Sequence, residues 1–125
     1  MATRKLNSSV IDKGWGSEIV FANTNEYCGK LLNFRAGSKG SMHFHILKDE
    51  TWYVASGSLI MRWIDTDTGI HHSEMLSSGD VVRNRRGQPH QVEAIEDSVI
   101  FEVSTPHHDS DSYRVIAGDS QKASN

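Results

Sequence analysis

The chain has 125 residues, 37% hydrophobic and 23% charged, with a formal net charge of −3. That length reads as one domain able to bury its own core, and the mild acidity excludes a large nucleic-acid footprint. No stretch approaches the ~18 apolar residues of a membrane span. The N-terminal MATRKLNSSV lacks the apolar core of a secretory signal, and Cys28, the one cysteine, has no internal disulfide partner. A reducing, cytoplasmic location is therefore expected.

In chain order the pattern is strand, turn, strand. EIVFAN (18–23) and GKLLNF (29–34) are short β-prone runs, and AGSKGS (36–41) is a turn. MHFHIL (42–47) alternates, KDE breaks it, and TWYVAS (51–56) runs to Gly57. SLIMRWI (58–64) follows at once, and DTDTG (65–69) has the composition of a hairpin tip. IHHSEML (70–76), VVRN (81–84), HQVEAI (90–95) and VIFEVST (99–105) complete the set, separated by SSGD, RRGQP and EDS. Short strands at a spacing of about 8–12 residues predict an all-β sandwich or barrel. No helical stripe stands out, beyond a short turn near the C-terminus. The polar ends predict a flexible arm at 1–11 and a flexible tail at 119–125, around a single domain at 12–118.

Residues two apart on a strand share a face, so His43 and His45 project together and Phe44 points away. Glu50 opens the next strand, with Trp52 and Val54 on its face. If the two strands form a hairpin, His43, His45 and Glu50 meet on the inner wall. Two imidazoles and a carboxylate make a first-row divalent site with open positions. His90 follows a Gly-Gln-Pro turn that fixes where its strand begins, and it is the expected fourth ligand. Zn, Mn, Fe, Ni and Co all suit such a donor set.

These residues carry a resemblance. Gly37, His43, His45, Glu50 and Gly57 stand at the spacing of the first cupin motif, and Gly79, Gly87 and His90 at that of the second. Arg85 replaces the second motif's usual proline and Ala94 its usual asparagine; neither position ligates metal. The chain thus resembles the cupin superfamily, which implies a small antiparallel β-barrel (a jelly roll, or double-stranded β-helix) holding one metal, and a homodimer. Over residues 13–118 it is most similar to the cupin domain of type II mannose-6-phosphate isomerases. GWGSE (14–18), Tyr27 with Lys30, the histidine segment, GQPHQVE (87–93) and STPHHDSDSYR (104–114) carry that likeness in order. It implies an isomerase of carbohydrate metabolism acting on a phosphorylated sugar.

The remaining candidates follow from parity and chemistry. Lys30 shares a face with Leu32 and Phe34; a lysine buried there needs an anion, which a sugar phosphate or carboxylate would supply, unless it snorkels to solvent. Trp52 is a candidate sugar-packing floor. Arg83 and Arg85 share a strand face and suit bidentate phosphate binding, or an exposed basic edge. The expected substrate-binding residues are thus Lys30, Trp52, Arg83 and Arg85, and the expected catalytic ones Glu50 and Lys30. His71, His72, His107 and His108 come in adjacent pairs that face opposite ways, and so read as surface residues. Tyr113 and Arg114 are candidates for the barrel mouth. Trp63 and Ile64 are adjacent, so one must face outward, toward a partner or other parts of the chain. Two other readings of the same donors are an oxygen-using or lyase-type metalloenzyme and a non-catalytic sugar-binding module. The first is disfavoured as a lyase by tryptophan rather than tyrosine at position 52.

Overall fold

The computed structural model describes residues 2–122. Within them lie eleven strands: β1 Ser9–Lys13, β2 Gly16–Asn23, β3 Cys28–Phe34, β4 Met42–Phe44, β5 Glu50–Ser56, β6 Ser58–Ile64, β7 His71–Ser77, β8 Val81–Asn84, β9 His90–Ala94, β10 Ser98–Ser104 and β11 Tyr113–Ile116. A single 3₁₀ turn follows at Asp119–Gln121. The strands form two antiparallel sheets, one in the order β1-β2-β3-β10-β5-β8 and the other β11-β4-β9-β6-β7. This is the expected all-β jelly-roll barrel.

Alternation builds the interior. Leu32 and Phe34 of β3, Trp52 and Val54 of β5, Leu59 and Met61 of β6, Leu76 of β7, Val92 and Ala94 of β9 and Ile100 of β10 form one buried cluster. On each strand the contributing side chains come from one face. The cluster fills one part of the barrel, and the rest of the interior is lined with polar groups.

One expected pairing is corrected. β4 and β5 do not form a hairpin: β4 pairs with β9 and β11, whereas β5 pairs with β10 and β8. β4 ends at Phe44, and residues 45–49 form a corner that carries the chain from one sheet to the other. His43 and Glu50 meet because the sheets face each other across the barrel, not because their strands are neighbours. DTDTG does close a hairpin, with Ile64 opposite His71.

Gly57 shows why the β5–β6 connection takes glycine. Its φ is +94°, and a Cβ there would fall 2.1 Å from Ser98 Oγ and 2.6 Å from Asp97 O. Both the backbone conformation and the space demand hydrogen.

The ends are more ordered than their composition predicts. Ser9–Lys13 pair residue by residue with β2, so strand structure begins inside the expected 1–11 arm. Asp119 Oδ2 accepts the Lys39 amide at 2.8 Å, and Ser120 Oγ accepts that of Gly14 at 3.0 Å, so the start of the expected 119–125 tail packs on the barrel. Positions 1 and 123–125 lie outside the described residues.

Candidate metal centre

A cavity of about 710 Å³ opens into the barrel between the two sheets. His43, His45 and His90 line it, with one nitrogen from each within 4.8 Å of the others. His43 lies directly opposite His90 across the β4–β9 ladder. The Gly87 turn sets the start of β9, and Gly87 donates its amide to the His45 carbonyl at 2.7 Å, so the two motif halves are tied together at the site.

Each ring is oriented the same way. Nδ1 of His43 donates to Ser41 O at 3.0 Å, that of His45 to Asp111 O at 2.6 Å, and that of His90 to Gln88 O at 2.8 Å. A carbonyl only accepts, so Nδ1 carries the proton in all three, leaving the Nε2 lone pairs for a cation. His90 Nε2 is buried with no hydrogen-bond partner among the described residues. Glu50 Oε1 is 2.9 Å away but off the hydrogen-bond direction. An orphaned imidazole nitrogen beside a carboxylate oxygen fits a metal ion bound between them.

Burial holds the His43 and His45 rings neutral. It drives His43 down to about 3, helped by His90 and His45. It drives His45 to about 4, helped by Lys48. Neutral imidazoles are the form a metal needs.

Glu50 is 2% exposed. Burial by itself would raise its carboxyl, but His90 and Lys48 outweigh that and hold it well below the usual range. Lys48 Nζ lies 3.2 Å from Glu50 Oε2 and 3.5 Å from Glu102 Oε2. Asn84 Nδ2 donates to Glu50 Oε1 at 3.2 Å, and Trp52 Nε1 to Glu102 Oε1 at 3.0 Å. Glu102 is also buried, and burial plus the nearby Glu50 charge raise it to about 7. The two acids thus sit at opposite ends of the carboxylate range.

The structure separates the other expected residues. Trp52 is buried in the cavity wall, its ring edge-on to His90 at 5.3 Å between centroids. Lys30 is buried and lines the cavity, but its anion is internal: it forms an ion pair with Glu18, whose other oxygen lies 3.6 Å from Lys13 Nζ. Arg83 and Arg85 are corrected. Both are exposed and outside the cavity lining, and Arg83 is held by Asp49 at 3.1 and 2.7 Å. Trp52 faces Val82 and Glu50 faces Asn84 in the β5–β8 ladder, so the even residues of β8 point inward and the arginines outward. The face opposite theirs carried the signal for Asn84.

His107 is a second correction. It lines the cavity, with Nδ1 3.3 Å from Lys48 Nζ and Nε2 3.0 Å from Asp109. The segment after β10 folds back over the mouth, which its composition does not disclose. His71, His72 and His108 are exposed as expected. Cys28 is buried, and burial raises its thiol. Tyr113 stacks on Phe44 at 5.3 Å. Arg114, opposite His43 in the β11–β4 ladder, lines the cavity mouth. Glu18, Lys48, Glu102 and Asp111 were not singled out in the sequence. Each is a charged residue whose burial follows from packing between elements far apart in the chain.

No family model matches the chain, and no curated protein matches it in sequence. Among solved structures it is similar to the capsular polysaccharide assembling protein CapF from Staphylococcus aureus, with a TM-score of 0.78 at 20% identity over 90% of this chain and 33% of that one. It is similar to KdgF from Halomonas sp., with a TM-score of 0.65 at 24% identity over 75% and 81%. It is also similar to oxalate decarboxylase from Bacillus subtilis, with a TM-score of 0.74 at 17% identity over 87% and 30%, a protein with Mn(II) centres. The chain thus spans about a third of the CapF and decarboxylase chains. These are cupin-fold proteins, and this chain shares their fold. Among the described residues no helix is long and apolar enough to cross a membrane.

Proposed function

We propose that this protein is a metal-binding cupin holding one divalent transition metal through His43, His45, His90 and Glu50, and that it isomerises a small phosphorylated sugar of the mannose 6-phosphate type. The observation that carries the metal reading is the shared orientation of the three rings, each Nδ1 spent on a backbone carbonyl, with His90 Nε2 buried and unpartnered. Bound there, the metal would supply a fixed positive charge able to polarise a ligand carbonyl.

The rest of the reading rests on this chain's own side chains. Trp15, Phe34 and Trp52 give the cavity apolar walls against which a sugar ring can pack, among acids, lysines and glutamines that can bond its hydroxyls. Arg114 and Lys13 are the cations nearest the mouth, and Arg114 has no ion pair among the described residues, so it is the better anchor for a phosphate. Lys30, with Glu18 as its counter-ion, contributes a fixed charge pair. An aldose–ketose shift needs a group that both takes and gives a proton near neutral pH. Glu102, raised to about 7, has that property; Glu50, committed to the metal and Lys48, does not.

A second reading has one specific observation in its favour. Arg114 stands directly across from His43, which would bring a ligand's anionic group beside the metal, as in a metalloenzyme acting on a small carboxylate. Metal analysis by mass spectrometry on untagged protein comes first: about one transition metal per chain is expected, lost in His45→Ala. Exchange of the carbon-2 proton of mannose 6-phosphate by the loaded protein then tests isomerisation. Its absence, with oxygen uptake or turnover on small carboxylates, would transfer the assignment to the second reading. Ligand affinity without any turnover would leave a binding module.

We also propose a homodimer formed through the outer face of the six-stranded sheet. Val10, Ile19, Leu31, Phe101, Tyr53 and Val81 lie opposite one another in register, one on each strand. They form an apolar row across the whole outer face, with Val10 and Val81 each 64% exposed. The adjoining outward residues Ser17, Asn33, Gly29, Val103 and Thr51 are uncharged, and the charged ones, Asp12 and Arg83, stand only at the two edges of the face, on β1 and β8. A two-fold axis along the strands lays the row on its own copy.

A further inference from the structure

Asp111 is 4% exposed, has no part in the core, and is bonded to both ends of one short segment. Its backbone carbonyl accepts Nδ1–H of His45 at 2.6 Å. Its side chain accepts three successive amides: Ile46 through Oδ1 at 2.8 Å, Leu47 through both oxygens at 3.1 Å, and Lys48 through Oδ2 at 3.0 Å. Those amides belong to the corner that takes the chain from β4 in one sheet to β5 in the other. A corner between sheets has no ladder partner for its N–H groups, so another acceptor must pair them. A carboxylate, an acceptor with about four lone-pair sites, suits three such donors.

We infer that Asp111 is the positioning residue of the metal centre, fixing the ring of His45 through its carbonyl and the path from His45 to Glu50 through its carboxylate. The consequence is mechanical. His45 lies beyond the end of its strand, so the ladder does not aim it; Asp111 does. Lys48, the counter-ion of Glu50 and Glu102, follows on the same corner. Because Asp111 precedes β11, which pairs with β4 and carries Arg114, the same contacts tie the cavity rim to the ligands. The inference deepens the metal reading and, for its consequences on affinity, rests on it.

The test uses Asp111→Asn and Asp111→Ala beside wild type, with His45→Ala as the control for a lost ligand. Asparagine keeps the shape but turns an NH₂ toward an amide. Titrated with Co²⁺, a folded Asp111→Asn protein is expected to bind about 10–100-fold more weakly, the range for losing a group that orients a metal ligand, and with a changed visible absorption spectrum. Wild-type affinity and spectrum in a folded variant overturn the inference. The metal-free proteins give a second readout. Nitrogen-15 NMR of His45 is expected to show Nδ1–H alone in wild type and a tautomer mixture in the variants. An unchanged tautomer counts against Asp111 even if wild type binds no metal, so the two readings fail separately. Should both variants fail to fold, hydrogen exchange of wild type decides. Protected amides at Ile46, Leu47 and Lys48 support the assignment, and coil-like exchange there refutes it.

Discussion

Lys30 and Glu18 are a lysine and a glutamate removed from water together. Such a pair adds little net stability over an apolar pair of similar volume, but losing one member strands the other. Glu18→Gln is therefore expected to lower the unfolding free energy by about 3–5 kcal/mol, measured by urea denaturation. The double variant Glu18→Leu with Lys30→Met is expected to recover most of that loss. A double variant as unstable as the single would mean that the charges do something packing cannot replace. The candidate metal ligands behave in the opposite way. His45→Ala removes a buried ring of depressed basicity, so its main expected effect is on metal content rather than on folding. Arg83 is the contrasting surface case: its bidentate contact with Asp49 is solvent-exposed, so Arg83→Ala should cost well under about 1 kcal/mol.

At the scale of elements, the site is assembled from a three-residue strand, the corner after it and two strand starts. β4 supplies His43, the corner after it His45, β5 Glu50 and β9 His90. Each is a place where the chain leaves or enters a ladder, and there side chains and not the ladder must satisfy the backbone. The His43, His90 and His45 rings satisfy the carbonyls of Ser41, Gln88 and Asp111 and are oriented by those same contacts. The β5–β6 connection is equally constrained. Gly57→Ala forces a positive φ on alanine and drives its Cβ into Ser98. A loss of at least about 1–3 kcal/mol is expected, read as a lower thermal midpoint. An alanine variant as stable as wild type would show that this connection moves freely, against the geometry.

For the whole molecule, the buried histidines link stability to pH. In the unfolded chain His43 and His45 titrate near the ordinary value of about 6.5; folded and metal-free, they titrate at about 3 and about 4. Above about pH 6.5 neither state is protonated and the rings have no effect. Below it the unfolded chain takes up protons that the folded one refuses, so stability falls as pH drops from about 6.5 toward 4. At pH 5 the loss is about 2 kcal/mol per ring, partly offset by about 2 kcal/mol from Glu102, which is raised to about 7 and takes up a proton in the folded state over the same range, so the net fall is about 2 kcal/mol. Chelator-treated protein should show this in denaturation curves between pH 7 and 5. A flat profile would place these histidines in water. The second prediction at this scale concerns assembly. Sedimentation should give a dimer for wild type, and Phe101→Glu with Tyr53→Lys should give a folded monomer. A wild-type monomer, or a variant that stays dimeric, removes the six-stranded face as the contact.

Much of this protein is legible in its sequence because the rule behind it is local. Alternation places Glu50 with Trp52 and Val54 and Lys30 with Leu32 and Phe34, since a strand repeats every two residues whatever it packs against. The glycine-rich turns and the spacing of the four candidate metal-binding residues likewise need only neighbouring positions. What depends on distant parts of the chain was decided by tertiary structure. The supposed hairpin is a crossing between sheets, because strand pairing is a choice among many partners. The anion beside Lys30 is Glu18, because β2 and β3 lie side by side. Arg83 points to solvent because β8 is registered on β5 through Val82 and Asn84. His107 and Asp111 reach the site because the chain after β10 returns over the mouth. Burial makes these charges consequential, and burial is a property of the assembled barrel rather than of any segment.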